Sequence, residues 1–343
     1  MSSSSTNEAG ALLSRGKRAR LGDLFASKFT GFAALLLVAL LVYLIVSFAL
    51  GSREAVRILG FGYLWTSKVI SKASVQGAFP YIFGTLVTSA IAMILGVPVA
   101  VGLALFVTEV CPQRIRAAVA TLSDMLAAIP SVVYGMWGIF VLAPWMDVTL
   151  EPWLQKTVGH IPGFGRLFQG PTSGPDMFTA GVILAIMILP IVTSISREIL
   201  SAVPRELRDG AYALGATRYE VISGVTLPFA RGGIIGASML GLGRALGETI
   251  AVIMVIGNNP NIQASLFGRA YTIPSFIAGN FGEGGTKGLE RSLLTMMALI
   301  LVVISLGFAA LARLMVRRIN QRARVAFETG SARSAWMRAG STV

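Results

Sequence analysis

Residues 208–249 read RDGAYALGATRYEVISGVTLPFARGGIIGASMLGLGRALGET, and the two halves of this stretch ask for different surroundings. The first half mixes charge with small apolar residues at helical spacing. It offers Gly215 as a break where a second short helix can turn, and Leu227 with Pro228 should end the polar unit before the membrane. The second half is an apolar helix from Gly232, yet it carries Arg244 and Glu248 where a membrane-spanning segment ordinarily carries no charge. One half suits a soluble partner, the other an ion inside a membrane.

Composition supports the second requirement. A chain of 343 residues that is 54% hydrophobic and 13% charged, with a mean hydropathy of +0.72, belongs with polytopic membrane proteins. A soluble domain this apolar would have too little polar surface to face water. The net charge of +13 does not point to nucleic acid, because the basic residues are scattered between apolar segments and at both ends. One cysteine, Cys111, excludes an intrachain disulfide, and the lone His160 lies across a predicted span from it, so the two cannot share a metal.

Read for uncharged runs, the chain predicts six spans. They cover 29–52, a segment starting near Pro80 and kinking at Pro98, 125–146 with the breaker Ile129-Pro130-Ser131 one turn in, 177–196, a helix from 232, and 292–312. Each is long enough at 1.5 Å per residue for a core of ~30 Å. The expected organisation is a basic tail over 1–28, an all-α transmembrane domain over 29–318, and a second basic tail over 319–343. Between spans, 53–72 reads as an interfacial amphipathic stretch, 109–124 as a short charged turn and 147–176 as an irregular loop. A glycine-rich region from 258 to 288 closes the series. The tails, the 109–124 turn and the 197–231 loop hold 19 Lys and Arg against 9 in the other three loops. By the positive-inside rule both termini and the 197–231 loop face the cytoplasm.

An active pump would need an energy source, but no glycine-rich loop ends in Gly-Lys-Ser/Thr. The nearest stretch, 284–288, has the order wrong. No Ser/His/Asp or Cys/His set serves nucleophilic catalysis, and no cofactor motif occurs. The chain is therefore expected to be no enzyme by itself. Gly232 with Gly236, and Gly243 with Gly247, make GxxxG faces that read as helix-packing surfaces.

The coupling stretch also carries a specific resemblance. Asp209-Gly210-Ala211, three residues, Gly215, nine residues, then Val225-Thr226-Leu227-Pro228 resembles the EAA loop of ABC-importer permeases, Glu-Ala-Ala-x3-Gly-x9-Ile-x-Leu-Pro. Ala211, Gly215, Leu227 and Pro228 match, while Asp209, Gly210 and Val225 depart conservatively. GTLVTSAIA from Gly84, AIPSVVYGMWGIF from Ala128 and GLGRALGETIAV from Gly241 resemble the C-type permease subunits of the phosphate-specific transport (Pst) system.

That resemblance implies a type I ABC-importer (MetI-like) permease fold in a bacterial plasma membrane. It also implies an A-type permease partner, two copies of a cytoplasmic ATPase with 205–228 as the coupling loop, and an extracytoplasmic binding protein delivering inorganic phosphate. Arg244 and Glu248 then carry over as phosphate-translocation residues, with Ser131 and Thr85 in the other matching segments as further candidates for the pathway.

Two other readings stay open. An ion-coupled carrier or channel would explain Arg244 and Glu248 but leave the 209–228 spacing without a purpose, and no second copy of the Arg244 segment signals an inverted repeat. A permease for sulfate or molybdate fits the loop spacing equally.

Thirteen residues past Arg231, Arg244 stands about 20 Å along its helix, near mid-membrane. A charge there costs at least ~2.5 kcal/mol and must be answered. Glu248, one turn on, would share its face and could neutralise it in a purely structural pair. Arg before Glu is the poorer i,i+4 orientation, however, and the guanidinium fork matches phosphate oxygens.

Overall fold

In a computed structural model, residues 4–70, 75–163, 165–284 and 288–339 are described, with side chains over 25–68, 76–163, 165–282 and 288–318. Helix α1 (Ser4–Gly51) holds the first apolar run, 25–51. The predicted 1–28 tail is helical from Ser4 because no proline separates it from the span. The same holds at the other end, where α14 (Gly288–Ala339) continues past the sixth span through residues predicted as a tail.

After α1, the interfacial stretch folds as α2 (Arg53–Leu59), a 3-10 turn over Phe61–Leu64, and a hairpin of β1 (Val69–Ile70) and antiparallel β2 (Val75–Gln76). Arg53 and Arg57 point outward, while Ala55 and Tyr63 are buried, as an amphipathic segment requires. Lys72 lies outside the described residues, as does 285–287 of the glycine-rich stretch.

The second span is α3 (Phe79–Leu105), extended by a π-helical turn over Phe106–Val110. Pro80 sits in its first turn, where no intrahelical N–H is needed, and Pro98 lies inside it. The predicted 109–124 turn is instead largely α4 (Gln113–Ala128), a helix started by Pro112 and uninterrupted until Ile129 turns extended before Pro130. The chain resumes as α5 (Ser131–Trp137) and runs through α6 (Ala143–Trp145) to α7 (Glu151–Thr157), joined by π-helical turns. The irregular loop predicted from 147 therefore begins only after Thr157. Pro144 and Pro152 both fall in first-turn positions that a helix tolerates.

Helix α8 (Met177–Ser201) is the axis of the molecule. Its apolar window is 67% buried against 0% for α1, and Ile183, Leu184, Met187 and Ile188 form the main core with α3, α5 and α12. Thr193 donates its hydroxyl to Ala100 O at 3.2 Å, tying α8 to α3.

The loop beyond α8 holds α9 (Arg205–Ala213) and α10 (Arg218–Val221). The latter continues through a π-helical turn, Ile222–Thr226, into α11 (Leu227–Gly247). Leu227 and Pro228 thus do not end the polar unit. The wide turn before Pro228 absorbs its ring and missing donor, and the rod passes straight into the fifth span. Helix α12 (Ile250–Val255) follows, then α13 (Ile273–Gly284) where only a loop was predicted. The overlooked start signal is Thr272, whose hydroxyl accepts from Ser275 N–H as an N-cap would.

The glycines that let α11 approach α8 differ from the expected pairs. A Cβ on Gly233 would stand 2.7 Å from Ile199 Cγ2, and one on Gly241 2.7 Å from Val192 Cγ2. With buried Ala237 and Ala245 they form the packed stripe. Gly236, Gly243 and Gly247 face open space in the single chain. The GxxxG spacing is the same, but the face is rotated.

Candidate functional site

Two regions of the bundle hold the residues singled out from sequence. The first is the 205–228 loop. Helix α9 ends in a left-handed turn at Gly215 (φ +84°), with Ala216 N–H donating to Ala211 O at 3.1 Å and Gly215 N–H to Tyr212 O at 2.9 Å. This closure satisfies the last carbonyls and needs a residue tolerating positive φ. Thr217 then starts α10 in a reciprocal cap with Glu220.

Asp209, Gly210 and Gly215 are exposed, and Ala211 is half-buried. Beside them Leu214 and Tyr219 are 91% and 78% exposed, large apolar surface that a docking partner would cover. Leu227 is half-buried and Pro228 exposed. The loop is moored to the bundle by residues that spacing could not reveal. Arg208 Nη1 lies 3.2 Å from Glu109 Oε1, its Nη2 donates to Leu200 O at 2.6 Å, and Arg218 donates to the Glu109 carbonyl.

The second region is a junction of two broken helices. Helix α11 ends at Gly247, Glu248 takes an extended backbone (ψ 129°), and α12 begins at Ile250. Its neighbour α5 begins at Ser131 after the extended Ile129-Pro130 step. A Cβ on Gly135 would stand 3.0 Å from Ala251 Cα, and one on Gly138 2.9 Å from Val255 Cγ1, so α5 and α12 run parallel. One turn before those contacts, Ser131 and Glu248 stand at about the same level. Gly138 also faces Ile183, and Gly241 faces Val192, so both breaks lie beside the middle of α8. Two helix ends with free backbone groups at this depth line space rather than lipid.

Arg244 is on the exposed side of α11, and no described residue gives it a hydrogen bond or ion pair. Tyr134 of the facing α5 is buried and donates to Leu126 O at 2.9 Å across the α4–α5 break. Tyr134 was not singled out in the sequence, although it lies in the quoted 128–140 segment. Glu248 follows the last residue of α11, and its φ of −69° keeps its Cβ one turn on from Arg244, but its carboxylate turns toward α12. It is half-buried, and its Oε1 accepts from Ala251 N–H at 3.5 Å. The intrahelical Arg–Glu pair, the structural alternative to a role in translocation, is absent among the described residues. Thr85 lies elsewhere, buried, its hydroxyl donating to Tyr81 O at 2.7 Å and accepting from Ile273 N–H at 2.8 Å. It joins α3 to the start of α13.

At the far end of the bundle from the 205–228 loop, Glu151 and Asp176 are fully buried and lie close enough for each carboxyl to bear on the other. Two ionised carboxylates buried side by side repel each other and lack water, which favours a proton on one of them. Burial first and the Glu151 charge second push Asp176 up to about 9. Asp176 Oδ1 also accepts from Thr179 N–H at 2.8 Å, capping α8.

Comparison with known proteins places this geometry. Residues 96–324 match the family of binding-protein-dependent transport system inner membrane components, a segment that holds both broken helices and the whole moored loop. The chain belongs to that family. It is 41% identical to the phosphate transport system permease protein PstC of Xylella fastidiosa over 89% of this chain and 93% of that one. It is 42% identical to the protein of the same name from Mesorhizobium japonicum with the same coverage.

Among solved structures, a bacterial alginate ABC transporter in complex with an alginate pentasaccharide-bound periplasmic protein aligns with TM-score 0.54. It is 20% identical and covers 83% of this chain and 94% of that one. That likeness extends to the fold, a MetI-like ABC-importer permease. As a member of the family the chain is a multi-pass inner membrane component of a transport system.

Proposed function

We propose that this chain is the transmembrane subunit of an ATP-driven importer of inorganic phosphate, forming half of the pathway and coupling it to a separate ATPase. The observation that carries the reading is the 41% identity over nine-tenths of the chain to phosphate permeases, with the loop and junction inside the aligned fold. An A-type permease would complete the pathway beside the open glycine face of α11. One of two cytoplasmic ATPase chains would receive the exposed Leu214 and Tyr219, and an extracytoplasmic phosphate-binding protein would load the opposite end. Both termini and the 205–228 loop are then cytoplasmic, consistent with the 19-to-9 basic asymmetry.

In this reading an arriving phosphate meets Arg244, whose guanidinium is unpaired and can offer two parallel N–H donors to its oxygens. Ser131 adds a hydroxyl and the Glu248 carboxylate an acceptor for the proton of a monoprotonated phosphate. Because Glu248 is not bound to Arg244, it limits the dwell of the anion by repulsion without occupying the donors. Thr85 contributes by holding α3 against α13 at the pathway wall. Alternate opening of the two sides would follow movements transmitted by the Arg208–Glu109 mooring.

The test is reconstitution with the A-type subunit, the ATPase and the binding protein in proteoliposomes. ATP-dependent uptake of labelled phosphate that excess sulfate does not reduce is expected. ATP-independent uptake, or equal competition by sulfate, would overturn the assignment. Orientation is read separately with single cysteines in a Cys111→Ser background. Ser201→Cys and His160→Cys, both at exposed positions, should label from opposite sides of the membrane and would not do so if the orientation were wrong.

A further inference from the structure

A cavity of about 630 Å³ opens between α4, the end of α8 and the start of α9. It lies remote from the Arg244 junction, at the end of the bundle that carries the 205–228 loop. Its wall holds four arginines, Arg116, Arg197, Arg205 and Arg208, against one carboxylate, Glu198. Two of the four are partly compensated from outside the wall. Arg197 reaches Asp124 at 3.1 Å and Arg208 reaches Glu109 at 3.2 Å. Arg116 has only the Cys111 carbonyl, at 3.3 Å, and Arg205 has no partner among the described residues.

The donors left over are specific. Arg197 Nη1 and Arg208 Nε are shielded from solvent and have no acceptor, in side chains only about a fifth exposed. An unmet cationic donor is a costly thing to bury in a fold whose other polar groups could have been arranged to meet it. Two helices also begin at this wall, α4 at Gln113 and α9 at Arg205, each preceded by a proline and neither bearing a side-chain cap. Their first amide groups add positive partial charge to that of the arginines. Arginine forks and free helix N-termini around one space are the recognition chemistry of a phosphate group.

We infer that this cavity is a phosphate-group binding site, distinct from the translocation junction, in which Arg197, Arg205 and Arg208 hold the oxyanion. The Arg208 guanidinium borders the cavity while it holds Glu109, so occupancy would link α8, α4 and the moored loop through one anion. The cavity's placement on the cytoplasmic side, and only that, rests on the proposed orientation. Two sources present this chemistry there: free inorganic phosphate and the headgroup of an anionic phospholipid. Exposed Ile115, Leu122 and Met125 on α4 bring the second within reach of the wall.

The experiment uses the assembled permease–ATPase complex without binding protein, and it measures binding rather than transport, so its failure is separable from failure of the importer assignment. One arm titrates labelled inorganic phosphate onto detergent-purified complex. The other counts phosphatidylglycerol against phosphatidylcholine retained from nanodiscs by native mass spectrometry. Arg205→Gln removes an exposed, unpaired side chain and should fold normally. It is expected to weaken retention about tenfold, the scale of one charge-assisted hydrogen bond. Arg197→Gln should act in the same direction.

Arg205-sensitive binding in the first arm identifies free phosphate, and in the second alone a lipid headgroup. Absence of binding in both arms, or binding indifferent to Arg205→Gln and Arg197→Gln, overturns the site.

Discussion

Arg208 and Glu109 are 99 positions apart in sequence, yet an ion pair of 3.2 Å joins them, with the Glu109 side chain only 9% exposed. It ties the loop between the fourth and fifth spans to the end of the second. Breaking it from either side should strand a charge of low exposure, which costs about 1–3 kcal/mol. Glu109→Gln and Arg208→Gln should each lower the thermal midpoint of the complex and reduce stimulation of the partner ATPase. A double-mutant cycle should show coupling above about 0.5 kcal/mol. Strictly additive effects would mean that the pair carries nothing.

Gly215 offers a cleaner test of the loop. A Cβ there meets nothing within 4 Å, so any penalty comes from the positive φ of +84° and not from crowding in the chain. Gly215→Ala should therefore be nearly as harmful as Gly215→Val to the loop conformation, at roughly 1–2 kcal/mol, and Gly215→Asn milder. All three should insert normally. ATPase stimulation by the valine variant equal to that of the unmodified complex would contradict the role of the turn.

The buried acid pair predicts a pH dependence of definite sign. Asp176 ionises near 3.8 when free and near 9 in the fold. Its contribution to stability is full below the lower value and is lost as pH rises toward the upper. Between those limits the slope is at most ~1.4 kcal/mol per pH unit for one proton. The thermal midpoint should fall as pH is raised from about 5 to about 9. Asp176→Asn keeps an acceptor for Thr179 N–H, and it should flatten that fall. An unchanged slope in the variant would remove Asp176 as its origin.

For the junction, Arg244→Gln should preserve expression, assembly and ATP hydrolysis while uptake falls at least about 100-fold, the scale of two charge-assisted hydrogen bonds. Arg244→Lys should recover part of it, since an ammonium lacks the planar fork. Glu248→Gln should not destabilise the complex in the way that breaking an Arg–Glu pair would, because no such pair exists. Normal uptake by Arg244→Gln in assembled complexes would sink the translocation role.

Much of this architecture is written in local sequence. Uncharged runs longer than a bilayer core locate the spans, and Pro130 marks a real break. The Gly215 turn follows from spacing because a left-handed helix end is a local demand of the backbone. Only the tertiary structure decided which neighbours those segments meet.

Arg244 and Glu248 look like a neutralising pair until the backbone turns extended at Glu248, a break that no proline announces, and the carboxylate turns to Ala251 N–H. The glycines packed on α8 are Gly233 and Gly241, while Gly236, Gly243 and Gly247 stay open, because the choice among equally small residues is made by the shape of α8. Glu151 and Asp176, or Arg208 and Glu109, are unremarkable charges where they stand in the chain. Their pairing arises when helices remote in sequence are pressed together away from water, where an unmatched charge is too costly to keep.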